Sequence, residues 1–360
     1  MKQKVISFPH MANYYTAFEY LFKRISDCQV LIAPPITKRT LELGSKYSPD
    51  FVCVPFKYNL GNFIEAAEVG ANMFVQSGGS CRFGYYGESQ QEILKNLGYD
   101  FEFYNLPDEG GKITITSLYS NLKAINGGQL KKGKFYYHGI IAIMIICYID
   151  NLEDYIRKNI GFGDAEEFEK IQDEMVKCFA KTKGIFNLMR NYSKYKKLLK
   201  QLPVDKPNDC LKVGIIGELF LCMESASNYN IEMELAKMGV EIHRTTNLSY
   251  ILISKPRNRK KLLKETKGYL EKVLSGDGID NIAHAKHMCE HHIDGIIHVK
   301  PFGCIPEVGA IPIIDKITHD HEVPAIYLSF DSQTSEEGIR TRLEAFYDMI
   351  EMKKAANDSL

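Results

Sequence analysis

Along the first hundred residues, short β-branched or aromatic runs alternate with longer stretches in which apolar side chains recur every three or four positions. VISF near residue 6, VLIA at 30–33, FVCV at 51–54, MFVQ at 73–76 and FEFY at 101–104 read as strands, with YTAFEYLFKRI at 15–25 and NFIEAAE at 62–68 as amphipathic helices among them. That alternation predicts βαβ units and a mainly parallel sheet. From about Ile113 to Leu202 the strand signal fades. Charged amphipathic segments such as NLEDYIRKNI and AEEFEKIQDEMVKCFAKT then predict a helical section, ended by Pro203 and the polar PVDKPND linker. Alternation resumes with LKVGIIGELF (211–220), VEIHRTT (240–246), GIIHVKPFG (295–303) and VPAIYLSFD (323–331), followed by a helical pattern over 334–353. The expected fold class is therefore α/β: two Rossmann- or flavodoxin-like parallel-sheet domains, at 1–112 and 208–360, joined by a helical section and linker at 113–207. A chain of 360 residues has room for both, since single cores stop growing near ~250 residues.

Charge narrows the function classes. With 45 basic and 45 acidic residues the net charge is zero, so no basic face is offered to nucleic acid or to an anionic membrane. The most apolar run, Ile140 to Ile149, is ten residues long where a membrane helix needs ~20, and reads as a buried helix. MKQKVISFPH lacks a charged and then apolar leader pattern, and the nine cysteines are an odd number, so the expectation is a cytoplasmic protein with reduced thiols. No GKS or GKT phosphate loop occurs, and Gly214 and Gly217 in VGIIGELF lack the G-x-G-x-x-G spacing, so the chain is not expected to hydrolyse ATP through a P-loop.

Three cysteines sit in Gly/Pro-punctuated turns after apolar runs: Cys53 in FVCVPFKYNLGN, Cys81 in MFVQSGGSCRFGYYG and Cys304 in GIIHVKPFGCIPE. A thiolate at such a turn, ringed by freed backbone N–H groups, suits an iron–sulfur ligand. Their wide separation excludes the compact ferredoxin run and the paired C-x-x-C of a zinc ribbon. Three thiolates would hold a [4Fe–4S] cube and leave one iron open; zinc with three thiolates and a histidine is the competing use, and burial as small hydrophobes the bland one. Cys28, Cys147, Cys178, Cys222 and Cys289 lie in apolar or helical patterns and read as buried hydrophobes, while Cys210 in the linker carries no signal. Arg82 beside Cys81 offers a cation to a cluster or a substrate anion, or is a surface arginine. Lys57, Tyr58 and Asn59 line a pocket or cap a helix. His298 and Lys300 alternate toward Cys304 on one strand face with Phe302, as a proton relay or as a hydrogen-bonded sheet histidine. His284, His287 and His291 share a helical face without an accompanying carboxylate pattern, a weak metal signal.

FPHMANYY at 8–15, VPFKYNLGNFIEA after Cys53, QSGGSCRFGYYGE around Cys81, DGIIHVKPFGCIPE around Cys304 and TRLEAFYDMI at 341–350 together resemble the 2-hydroxyacyl-CoA dehydratase and benzoyl-CoA reductase subunits, D-component-like, across both α/β domains. The chain is most similar to a branch found beside large activator-related proteins. The resemblance implies that Cys53, Cys81 and Cys304 hold one [4Fe–4S] cluster. It implies a lyase that dehydrates an acyl-CoA through a ketyl radical, fed by a separate ATP-hydrolysing activator iron–sulfur protein and paired with a homologous subunit or a second copy. Two variants of that reading are a double-cubane-type low-potential reductase and a non-catalytic electron-relay or scaffold subunit. No catalytic residue is assigned beyond the candidates Arg82, His298 and Lys300.

Overall fold

The computed structural model describes residues 3–79, 81–107, 113–270 and 274–358. The chain divides into two compact units, Met1–Ile146 with Val176–Met189, and Cys147–Met175 with Arg190–Leu360. The expected boundary at residue 112 lies outside the described residues.

In the first unit the elements run β1 (Val5–Ser7), α1 (Tyr15–Ile25), β2 (Gln29–Val30), α2 (Lys38–Tyr47), α3 (Val54–Glu68), β3 (Met73–Gln76), α4 (Tyr86–Asn96), β4 (Glu102–Asn105), α5 (Ile115–Ile125) and the first part of α6 (Lys132–Asn159). The four strands form a parallel sheet in the order β2-β1-β3-β4, with Ile6 opposite Met73 and Phe74 opposite Phe103. Phe56, Leu60, Phe63 and Ile64 on α3 pack on Phe74 of β3, an aromatic-rich core that explains why this apolar helix is buried along most of its length. One expected strand is absent. FVCV at 51–54 is a turn and the start of α3, because Pro55 is pre-set for the first helical turn and cannot donate to a sheet ladder.

In the second unit α7 (Ala165–Ala180) and α8 (Ile185–Gln201) precede β5 (Lys212–Gly217), α9 (Leu219–Met223), α10 (Ile231–Lys237), β6 (Glu241–Arg244), α11 (Lys255–Glu265), α12 (Gly278–Glu290), β7 (Gly295–Pro301), α13 (Ile305–Asp320), β8 (Ala325–Phe330) and α14 (Glu336–Asp358). Helices α6, α7 and α8 each supply residues to both units. The second sheet is again four-stranded and parallel, in the order β6-β5-β7-β8. Strand β7 is buried at every residue, as a central parallel strand covered on both faces must be. A π-helical turn at Tyr250–Ser254 leads into α11.

The apolar run at 140–149 lies in α6, but it is not buried all round. Ile141, Ile145, Ile146 and Ile149 are buried, whereas Tyr136, Ile140 and Ile143 are exposed. The helix continued to Phe162 is long and apolar enough, by length and composition only, to cross a membrane. Its later part carries buried charge: Asp150 accepts a hydrogen bond from Ser249 N at 2.8 Å, and Arg157 Nε lies 3.0 Å from Glu232 Oε1.

Candidate functional site

Ligands of open parallel sheets gather beyond the C-terminal ends of the strands, where neighbouring crossovers depart to opposite faces. In the first unit that edge carries Cys53 and Cys81. Cys53 is the N-cap residue of α3, and Cys81 caps the 3-10 turn Arg82–Tyr85 that runs into α4, its Sγ accepting a hydrogen bond from Phe83 N at 3.4 Å. Tyr86 OH stands 2.7 Å from Cys53 Sγ. Burial, and then the neighbouring Cys53 and Cys81, push the Tyr86 phenol well above its ordinary range, so it stays protonated and donates to the sulfur. Phe56 meets the Tyr86 ring edge-on at 4.8 Å, and Gln90 Nε2 donates to Phe56 O at 3.2 Å, tying α4 to the start of α3. Asn59 is buried within α3, and its Oδ1 has no hydrogen-bond partner among the described residues. Arg82 is exposed, with its charge acting on Tyr86.

In the second unit Cys304 is the N-cap of α13, and Pro306 stands two residues after it as Pro55 does after Cys53. His298 on β7 is fully buried, with Nε2 2.7 Å from Glu307 Oε2 in the first turn of α13. Asn281 of α12 donates to the same carboxylate oxygen at 2.9 Å, and its side-chain amide pairs with Gly217 N at 3.1 Å and Gly217 O at 3.0 Å. One polar network therefore fastens the ends of β5 and β7 to the starts of α12 and α13. His298 is thus hydrogen-bonded through Nε2 alone, its buried Nδ1 having no hydrogen-bond partner among the described residues. Lys300 is buried too, and burial lowers its ammonium pKa against the opposing pull of Cys304 and Glu307. Phe302 does not share their face: β7 ends at Pro301, and Phe302 lies in the following turn, 70% exposed. Half-buried Glu218, the N-cap of α9, accepts from Leu221 N at 3.1 Å; burial, with Asp277 and Glu307 nearby, pushes its carboxyl up to about 8.

Of the three histidines, exposed His287 and His291, at the end of α12, have ring centroids 4.0 Å apart, while His284 is buried away from solvent. His284 is buried with its ring 4.9 Å from that of Tyr250, whereas exposed His291 bonds its own helix at His287 O. Of the cysteines expected as buried hydrophobes Cys222 is buried, whereas Cys28, Cys147, Cys178 and Cys289 are only half-buried; Cys210 is buried with its Sγ 3.7 Å from Glu241 Oε2. No group of three His, Cys, Asp or Glu side chains is gathered for a metal ion among the described residues.

The donor chemistry nonetheless fits a thiolate-bound cluster. All three motif cysteines are helix caps, where unpaired N–H groups and the helix dipole favour an anion. Tyr86, Glu307, Asn281 and Glu218 were not found by sequence reasoning. The repeated Cys-Val-Pro and Cys-Ile-Pro triplets, and a carboxylate three residues after Cys304, are the capping signals from which part of this arrangement is readable.

Residues 266–350 match the family model described as 2-hydroxyglutaryl-CoA dehydratase, D-component. The match takes in Cys304, His298, Asn281 and Glu307, and leaves Cys53 and Cys81 outside it. No curated protein matches the chain.

Proposed function

We propose, from the premise that residues 266–350 form a 2-hydroxyglutaryl-CoA dehydratase D-component domain, that the chain is the iron–sulfur component of a 2-hydroxyacyl-CoA dehydratase. Cys53, Cys81 and Cys304 hold its [4Fe–4S] cluster. The observation that carries this reading is their common position: each caps a helix at the ligand-binding end of its sheet, two of them in a Cys-x-Pro triplet. When bound, such a cluster supplies one low-potential electron to a thioester carbonyl, which lets the neighbouring hydroxyl depart from the ketyl form of the substrate.

The chain's own residues prepare the site. Tyr86 donates to the Cys53 sulfur and keeps that thiolate oriented. Glu307, His298 and Asn281 fix the start of α13, and with it the backbone of Cys304. Lys300 brings a partly desolvated ammonium close enough to Cys304 to feel its charge. Arg82, exposed at the other cysteine turn, is suited to meet an anionic group such as a CoA phosphate.

Metal analysis with EPR on anaerobically purified protein tests the reading. About four irons per chain and a [4Fe–4S] signature are expected. Cys53→Ser, Cys81→Ser and Cys304→Ser each deplete the iron, whereas Cys178→Ser does not. Stoichiometric zinc in place of iron, or a Cys304→Ser variant with full iron and an unchanged spectrum, overturns it.

A further inference from the structure

The zero net charge of the chain conceals one hollow with a local excess of positive charge. In the first unit a groove of about 490 Å³, a size typical of small-molecule sites, runs between α1 and the end of α7. Tyr15, Glu19 and Lys23 stand at i, i+4 and i+8 along one face of α1, with Tyr20 and Arg24 beside them. Lys177 and Lys181 face them from the last turn of α7 and the residue after it. Among the described lining residues four exposed cations therefore meet a single carboxylate, Glu19, which is itself paired with Lys23 at 2.5 Å.

The walls of the groove are fastened together. Arg24 Nη2 donates to Thr182 O at 2.9 Å, tying the end of α1 to the turn that follows α7. Buried Tyr20 has its OH 2.9 Å from His138 Nδ1, and the Arg24 guanidinium lies 5.6 Å from the centre of its ring. Burial first, and then Arg24 and Lys134, push the His138 pKa down, so the positive field reaches the side chains behind the groove. Cations in the last turn of a helix offset the dipole of that helix. Gathering those of two helices around one hollow also sets like charges against one another, a repulsion that a bound anion relieves.

The far end of the groove is aromatic. Tyr15, half-buried, has its ring 4.9 Å from that of His10, and both belong to the FPHMANYY segment after β1. Eight residues separate Tyr15 from Lys23, about 12 Å along the helix. Such a spacing suits a flat base at one end and clustered phosphates at the other.

We propose that this groove binds an adenine nucleotide through its diphosphate, with Lys23, Lys177 and Lys181 meeting the phosphates and Tyr15 the base. The inference is independent of the cluster assignment, because every residue it uses lies in the first unit and none is a motif cysteine. Two sources carry this chemistry: a free adenine nucleotide and the nucleotide end of a coenzyme A thioester.

Calorimetric titration of the full-length chain with ADP, pyrophosphate and CoA at fixed ionic strength tests the proposal. Wild type is expected to bind ADP saturably. Lys23→Gln combined with Lys181→Gln weakens both ADP and pyrophosphate by about tenfold or more. Tyr15→Leu weakens ADP and leaves pyrophosphate unchanged, whereas Glu19→Gln, which removes the carboxylate, tightens both. Displacement of ADP by CoA supports the proposal with the thioester's nucleotide end as occupant, and ADP binding that CoA does not displace supports it with a free nucleotide. Absence of saturable ADP binding by wild type overturns it, as do equal affinities in wild type, the double-lysine variant and Glu19→Gln. Should Tyr15→Leu fail to fold, judged by its melting transition, the lysine and glutamate variants decide. Iron content, measured on the same samples, reports on the cluster reading separately.

Discussion

A sulfur at a helix start with a phenol 2.7 Å away is an arrangement for stabilising negative charge, and it makes Tyr86 the residue on which Cys53 depends. A hydrogen bond to a charged group contributes about 1.5–3 kcal/mol, roughly ten- to a hundredfold in thiolate population. Tyr86→Phe is therefore expected to slow alkylation of Cys53 in the metal-free protein at neutral pH by about tenfold or more, read peptide by peptide by mass spectrometry, with Cys178 as the unaffected control. Glu218 makes a second residue-level prediction. Its carboxyl is raised to about 8 in the folded protein, well above its value in an unfolded chain. Between those two values the folded state holds a proton that the unfolded state has released. Stability then falls as pH rises through that window, from the ordinary carboxylate range to about 8. Glu218→Gln removes this dependence. Urea midpoints measured from pH 5 to pH 8.5 are expected to decline less steeply in the variant, and parallel declines would show that Glu218 is not the group responsible.

At the scale of elements, close helix contacts separate two kinds of glycine. A Cβ on Gly61 of α3 would lie 1.9 Å from Thr40 O of α2, a backbone atom that yields only if the helices part. Gly61→Ala is expected to destabilise the protein by about 1–3 kcal/mol in denaturant unfolding. Gly139, inside α6 with nothing within 4 Å of its Cβ position, should gain about 0.5–1 kcal/mol on the same change, so opposite signs for two Gly→Ala substitutions test the packing directly. The same elements show what was legible beforehand. The helix at 15–25 and the strand MFVQ at 73–76 were readable to the residue, because strong periodicity and β-branched clustering agree with their burial. FVCV satisfied the strand template equally well, and only Pro55 separates a helix start from a strand there. The turns around Cys81 and Cys304 announced themselves through glycine and proline. Their supporting residues did not, since the Glu307–Asn281 and Tyr86–Cys53 contacts come from tertiary pairing and no local spacing encodes them.

For the whole molecule, the outstanding physical question is what surrounds α6. Its Tyr136, Ile140 and Ile143 face is open, yet Asp150 and Arg157 farther along the same helix are buried among polar partners, which a helix lying in lipid would have to surrender. Ile140→Lys with Ile143→Lys is therefore expected to leave the protein in the aqueous fraction with a melting temperature close to wild type. Loss of folded protein, or wild-type protein that partitions into membranes and resists carbonate extraction, would show that this face meets an apolar environment. The final prediction concerns energy supply. Driving an electron onto a thioester carbonyl requires a strongly reducing donor, and the proposed dehydratase reading assigns the ATP hydrolysis behind it to a separate activator protein. This sequence contains no GKS or GKT phosphate loop, so it lacks the backbone cradle and lysine with which P-loop enzymes hold the transferred phosphate. The purified chain, given ATP, magnesium and dithionite under anaerobic conditions, is expected to release phosphate no faster than a buffer control and to leave a 2-hydroxyacyl-CoA intact. Addition of an iron–sulfur activator should switch on both phosphate release and dehydration. ATP turnover by the chain alone would place energy coupling within these two units and remove the need for the activator.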